Sequence, residues 1–439
     1  MLKKYLRLFL PLLLIGIVLP GCHIESNKQP SSGAVKVFPV KAAGLISPGF
    51  NQDEASRLVA AGANDFAFRL SSALLEHADG ENFVCSPFSV WLPLAALANA
   101  ADAESLPALL DAIGAAGFEA GDVNKAASRM LYDLTREMDK EYYKDAFSPL
   151  CIANAVFVDD DVTLSKNFAQ NFADYFLGAS MNVDFRSPEA PKTVNRWASD
   201  NTGGLIEDIV QEFDPDTVAA IANAVYFSDR WSWEFSPDST VADIFHSPSG
   251  DTEARFMIRE GDMQTYYEDD KVQAMPLNFS TGGGMMIILP KDGDAGALLS
   301  GMTTDYFNEI REDSITATGK LLLPRFTIDS GVMPLKDALT ELGVPLFDED
   351  AAPLTGGLIE EDLPVWLSAA LQKAYIEVDE KGTTAAAVTL MRAAAGAAMP
   401  KPTEPFEMKC DKPFVFVLYG RTYDGGDQIL FTGVVNRPD

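Results

Sequence analysis

The chain has 439 residues, 47% hydrophobic and 10% aromatic, enough apolar material for a sizeable core in one large domain or two. Its 64 acidic residues against 34 basic ones give a net charge of -30, which repels nucleic acid and anionic lipid and argues against a phosphate-binding role. Besides Cys22, three cysteines remain (Cys85, Cys151 and Cys410); that odd count, with no CxxC pair, argues against a disulfide framework, and Cys85 and Cys151 sit in apolar contexts that suit buried free thiols.

The chain opens with MLKKYLRLFLPLLLIGIVLPGC: a basic start, an apolar run from Leu8 to Leu19, then Leu-Pro-Gly-Cys. That run is short for a membrane span and reads as a signal peptide over residues 1–21. Ending on Gly21-Cys22, it resembles the lipobox of bacterial lipoproteins. The resemblance implies that Cys22 is acylated and tethers an extracytoplasmic protein to a bacterial membrane. Residues 22–46, rich in Ser, Pro, Gly and Lys, suit a flexible tether, and residues 47–439 form one continuous globular body.

Helical spacing dominates the first half of that body. EASRLVAAGANDFAFRLSSALLEH and VNKAASRMLYDLTREM both carry apolar residues three and four apart. In VCSPFSVWLPLAALANA, Ser86-Pro87 reads as an N-cap followed by proline at the first helical position. The second half shifts to strand patterns: IANAVYF, VQAMPLNF, MMIILP, KLLLPRFTI, AYIEVD, FVFVLYG and ILFTGVVN. STGGG between two of them is a hairpin signal. Helices first and strands later, without βα alternation, predict an α+β fold with mixed or antiparallel sheets.

Catalysis finds little support. The three histidines, His23, His77 and His246, neighbour no serine-elbow motif, no HExxH and no carboxylate cluster at ligand spacing. His246 reads as a strand-end residue. The sequence predicts no enzyme, no metal site and no cofactor.

Seven segments, in order and spread over the body, resemble one family. These are NDFAFRLSSAL, ENFVCSPFSVWLPLAALANAA, NRWASDNTGGLIEDIV, ANAVYFSDRWSWEFSP, LLLPRFTIDSGVMPLKDALTELGVPLFDEDAAPLTGG, LSAALQKAYIEVDEKGTTAAA and DKPFVFVLYGRTYDGGDQILFTGVVNRPD. Together they resemble the serpins, inhibitors that trap proteases by a conformational change. The resemblance implies helices plus three β-sheets and an exposed reactive loop at about 380–405. It further implies covalent capture of a serine protease, and by extension a cysteine protease, by a monomer. A non-inhibitory member acting as a surface binding module is the alternative.

An inserting loop must suit a strand buried on one face. Every second residue from Thr383 gives Thr383, Ala385, Ala387, Thr389, Met391, Ala393 and Ala395, without a charge. Arg392, the only charged residue between Gly382 and Pro400, falls in the other series with Thr384 and Ala386. The rival local reading, an alanine-rich helix, sits badly with Gly382 and with the prolines at 400, 402 and 405.

By resemblance, the hinge comprises Glu380, Lys381, Gly382, Thr383, Thr384 and the run Ala385-Ala386-Ala387. The scissile bond follows the seventeenth residue from Glu380, which is Gly396, so it is Gly396–Ala397. Ala395–Gly396 and Ala397–Ala398 are rivals. Small residues there fit elastase-like or subtilisin-like targets. Trp231 corresponds to the tryptophan beneath the start of insertion. Ser86, Ser89, Asn223 and Gln372 correspond to a polar cluster at the centre of the opening sheet, with Gln372 where many members carry histidine.

Overall fold

The computed structural model describes residues 41–46, 54–76, 78, 80–135, 150–202, 204, 206–214, 217–383, 405–422 and 426–438. Among the described residues, six α-helices precede residue 202: α1 (Glu54–Leu75), α2 (Pro87–Leu97), α3 (Leu106–Ala112), α4 (Ala120–Thr135), α5 (Lys166–Phe176) and α6 (Ala190–Asn201). Three short ones follow, α7 (Ala295–Ser300), α8 (Thr304–Glu312) and α9 (Lys336–Glu341). The strands of the first half are β1 (Phe83–Cys85), β2 (Leu150–Asp159) and β3 (Gly178–Val183); β4 (Ala219–Phe227) and β5 (Asp229–Arg230) follow from the midpoint of the chain. Then come β6 (Val241–Ser247), β7 (Gly250–Glu268), β8 (Val272–Asn278), β9 (Gly284–Pro290) and β10 (Ile315–Pro324). The last are β11 (Phe326–Pro334), β12 (Leu371–Val378), β13 (Gly382–Thr383), β14 (Phe406–Lys409), β15 (Phe414–Arg421) and β16 (Asp427–Val435).

Hydrogen bonding groups the strands into three sheets. The largest runs β1-β16-β15-β9-β8-β7-β10-β14, with β6 paired to β7. A three-stranded sheet, β3-β2-β4, and a four-stranded one, β11-β12-β13-β5, complete the set. Antiparallel pairs dominate; β2–β3 and β10–β14 are parallel. This is the α+β fold with mixed and antiparallel sheets that the sequence predicts.

Helix α2 explains itself through composition. Every residue but Pro93 is buried, because the segment is apolar on all sides and lies between the sheets and the other helices. Trp91 closes its one polar need by donating Nε1–H to the Ile113 carbonyl at 2.9 Å. Strand β15 is buried from Phe414 to Gly420, as its unbroken apolar run requires of a central strand.

Two local expectations are corrected. Ser86 precedes Pro87 at the start of α2, but its hydroxyl does not cap the helix; it donates to the Leu430 carbonyl at 2.8 Å. The strands are also not confined to the second half. β2 forms in the first half because Leu150–Val158 pair with Ala219–Phe227, about seventy residues away, and no local turn signals that partnership.

Candidate functional site

The site lies where β4, after a single residue, Ser228, continues as β5 beside the end of β12. Asp379 begins a tight reversal after β12: its Oδ1 accepts from the Lys381 N–H at 2.8 Å and the Gly382 N–H at 3.2 Å. The Asp379 N–H in turn donates to the Gly382 carbonyl at 3.0 Å. The chain then returns as β13, antiparallel to β12 at Val378↔Thr383 and antiparallel to β5 at Gly382↔Arg230 and Thr383↔Asp229. β13 is therefore a wedge between two strands. Below it β12 and β4 are neighbours, yet no ladder joins them among the described residues.

Gly382 is demanded by the fit. Its φ is +151°, and a Cβ there would stand 2.1 Å from the Asp229 carbonyl oxygen and 2.7 Å from Arg230 Cα. Thr383, 1% exposed, accepts from the Asp229 N–H through Oγ1 at 3.2 Å, while the Ser228 hydroxyl donates to its carbonyl at 3.3 Å. Thr383 is the first member of the charge-free series, and its side chain faces inward.

Glu380, 4% exposed, sits over the reversal with its backbone and its carboxylate both engaged. Its carbonyl accepts from the Phe235 N–H at 2.8 Å. Its Oε1 accepts from Arg325 Nε at 2.9 Å, from Arg325 Nη2, and from Thr240 Oγ1 at 2.5 Å. Burial is the largest single influence on this carboxyl and pushes its pKa up; the Arg325 and Thr240 hydrogen bonds together outweigh it and hold the pKa below the ordinary glutamate value.

Trp231 anchors the wedge from beneath. Its N–H donates to the Lys381 carbonyl at 2.9 Å, and its indole Nε1–H donates to the Asp379 carbonyl at 3.0 Å. The ring stacks on Phe279, centroids 4.8 Å apart and planes 7° from parallel. Phe279 belongs to the β8–β9 hairpin, whose sequence predicts a plain turn. In the fold that turn, 279–283, also braces β5: the Ser280 N–H donates to the Arg230 carbonyl at 2.8 Å, and the Ser232 N–H to the Asn278 carbonyl at 2.8 Å.

Asp229 joins β13 to that brace. The residue is 1% exposed, and its carboxylate accepts from Ser280 Oγ at 2.8 Å, Thr281 Oγ1, the Thr281 N–H at 3.4 Å and the Arg230 N–H at 2.7 Å. All four donors are neutral. Burial therefore prevails over these hydrogen bonds and pushes the pKa up to about 6.

Farther down the sheet, Gln372 on β12 ties the start of α2. Its Oε1 accepts from the Ser86 N–H at 3.0 Å, and its Nε2 donates to the Ser86 carbonyl at 2.8 Å and to Ser89 Oγ at 2.9 Å. Ser86, Ser89 and Gln372 thus form one buried cluster. The Asn223 side chain bonds elsewhere: its Nδ2 donates to Asn154 Oδ1 at 2.7 Å across the β2–β4 ladder, and Asn154 donates to the Phe176 carbonyl at 2.6 Å. Among the described residues, the buried Oδ1 of Asn223 has no partner.

Thr384, Ala385, Ala386, Ala387 and the bonds around Gly396–Ala397, with Ala395 and Ala398, lie outside the described residues, as do Cys22 and the rest of residues 1–40. Among the described residues no helix is long and apolar enough to cross a membrane. His246 lies at the end of β6, exposed, with Nδ1 2.8 Å from Asp251. Cys85 and Cys410 are buried free thiols, and burial pushes the Cys85 pKa up to about 11. Sequence reasoning missed Asp229, Arg325, Thr240 and Asn154. Nothing in their local sequence distinguishes them, since each acts on a residue far along the chain.

Residues 61–438 match the family model described as Serpin (serine protease inhibitor). Antichymotrypsin-2 of Bombyx mori is 32% identical over 391 residues, covering 86% of this chain and 98% of that protein. Alpha-1-antiproteinase of Rattus norvegicus is 27% identical over 373 residues, covering 84% of this chain and 87% of that protein. The structure is also similar to that of the thermophilic serpin tengpin in the native state, with a TM-score of 0.76 and 26% identity over 91% of this chain and 97% of that one. The chain belongs to the serpin family.

Proposed function

We propose that the chain inhibits serine proteases as a suicide substrate, the reactive loop at about 380–405 serving as bait. The protease serine oxygen attacks the Gly396 carbonyl carbon, the Gly396–Ala397 bond breaks, and Ala397 leaves as the protonated amine. Gly396 remains esterified to the protease. The loop then enters the four-stranded sheet from β13 onward and carries the protease with it. The single observation that supports this reading is the hinge itself: β13 is seated between β12 and β5, above two strands, β12 and β4, that no described ladder joins. Insertion would continue a pairing already begun.

Small residues around Gly396–Ala397 favour elastase-like or subtilisin-like targets with shallow specificity pockets. The protein acts as a monomer at a bacterial envelope surface, anchored through a lipid on Cys22. The test is to mix it with elastase-like, subtilisin-like and trypsin-like proteases and look for an SDS-resistant complex. Complexes with the first two support the proposal; cleavage of the loop by all three with full release of active protease refutes it. The same outcome would favour a non-inhibitory binding module. Thr383→Arg, which would force a guanidinium into the buried seat beside Asp229, turns the inhibitor into a plain substrate. Unchanged complex formation by that variant would sink loop insertion.

A further inference from the structure

We propose that Asp229 is a proton-responsive positioning residue that sets how firmly the hinge stays seated between β5 and β12; this rests on the inhibitor reading of the hinge. The geometry carries the argument. Gly382 and Thr383 lie directly on the Asp229 peptide, with a hypothetical Gly382 Cβ only 2.1 Å from its carbonyl oxygen. Thr383 is the cross-strand partner of Asp229, a residue 1% exposed, so the two side chains lie on the same face of the sheet. The carboxylate turns instead to the Ser280–Thr281 turn, where only neutral hydroxyl and amide donors meet it. Among the described residues, a charge is thus enclosed without a countercharge in its hydrogen-bond shell, on the very residue that β13 pairs with.

Withdrawal of β13 admits water to Asp229, and hydration favours its ionised form. Ionisation and withdrawal are therefore linked, and a bound proton favours the seated hinge. With a seated pKa of about 6 against an ordinary 3.8, the opening constant rises about tenfold from pH 5 to pH 7.5.

Other charges surround this residue, and their contributions are separable. Arg230 shares its strand; Asp379, Glu380 and Lys381 lie on the reversal, with Arg325 behind Glu380. Asp133 and Arg421 line the small cavity that Thr281 also borders. The turn at 279–283 brings no titratable group. Glu380 shifts in the opposite direction and titrates below the window used here.

The test is native-state hydrogen exchange on the full chain, following the amides of Trp231 and Phe235, which are bonded to the Lys381 and Glu380 carbonyls. Opening constants, corrected for intrinsic exchange, are compared at pH 5 and pH 7.5. Wild type is expected to open about tenfold more at pH 7.5, and Asp229→Asn, which cannot ionise, to show a flat profile. Ser280→Ala removes a donor to the carboxylate and is expected to move the midpoint upward in pH, a readout that stands even if Asp229→Asn fails to fold. Equal opening at both pH values in wild type, a profile retained by Asp229→Asn, or an unmoved midpoint in Ser280→Ala overturns the proposal. No protease is used, so loss of the inhibitor reading and loss of this one give separate results.

Discussion

Gly382 and Asp229 touch backbone to backbone: a single added carbon on Gly382 would stand 2.1 Å from the Asp229 carbonyl oxygen. The contact is possible only because residue 382 has no side chain and tolerates a φ of +151°. Gly382→Ala therefore unseats β13, at a cost of about 2 kcal/mol of backbone strain if the strand is forced to stay. Hydrogen exchange at Trp231 checks this directly. Protection equal to wild type would refute the close fit.

Arg325 is the partner that lets Glu380 stay charged at 4% exposure. Arg325→Met keeps an apolar stem and removes the guanidinium, and is expected to lose about 2 kcal/mol at pH 7.5. The folded pKa of Glu380 lies below its ordinary value, so its contribution is complete above that value and disappears as pH falls through the folded one. Wild type and variant should converge in urea unfolding as pH falls toward that point. A constant gap between them at all pH values would show that the carboxylate is not the cause.

The Trp231 side chain holds the reversal through one hydrogen bond and one stack. Trp231→Phe retains a ring against Phe279 and loses the bond to the Asp379 carbonyl, an expected loss of about 1 kcal/mol. Trp231→Ala loses both and leaves a cavity, at about 3–5 kcal/mol. Urea midpoints separate the two. Equal losses would mean that stacking contributes nothing.

Gln372→Leu keeps roughly the same volume and leaves the Ser86 N–H, the Ser86 carbonyl and Ser89 Oγ without this partner. The expected loss is about 2–3 kcal/mol, invariant between pH 5 and 8 because an amide does not titrate. Gln372→His should introduce a pH dependence in that interval. A loss in Gln372→Leu that varied with pH would point to some other group.

Much of this was legible along the chain. The apolar stripe of α1, the all-round apolar α2, the alternation in β12 and the STGGG turn each follow from local composition. The charge-free series beginning at Thr383 also follows from local composition. Ser86 misled because Ser-Pro is a sound capping signal, while the hydroxyl found a stronger claim in Leu430, over three hundred residues away. Asn223 was assigned to the Ser86 cluster, yet its strand register sets it opposite Asn154, and register is a property of two strands rather than one.

By itself, the sequence determined the types of the strongly patterned elements, the serpin order of its segments, the glycine at position 382 and the charge-free alternate series that begins at Thr383. These depend on propensity, periodicity and residue size, which act within a few neighbours. Only the tertiary structure decided that Glu380 meets Arg325 and Thr240, that the β8–β9 turn braces β5, and that Asp229 pairs with Thr383 while its carboxylate meets Ser280 and Thr281. Those relationships depend on which surfaces exclude water from which charges, and that is settled only when distant segments close over one another.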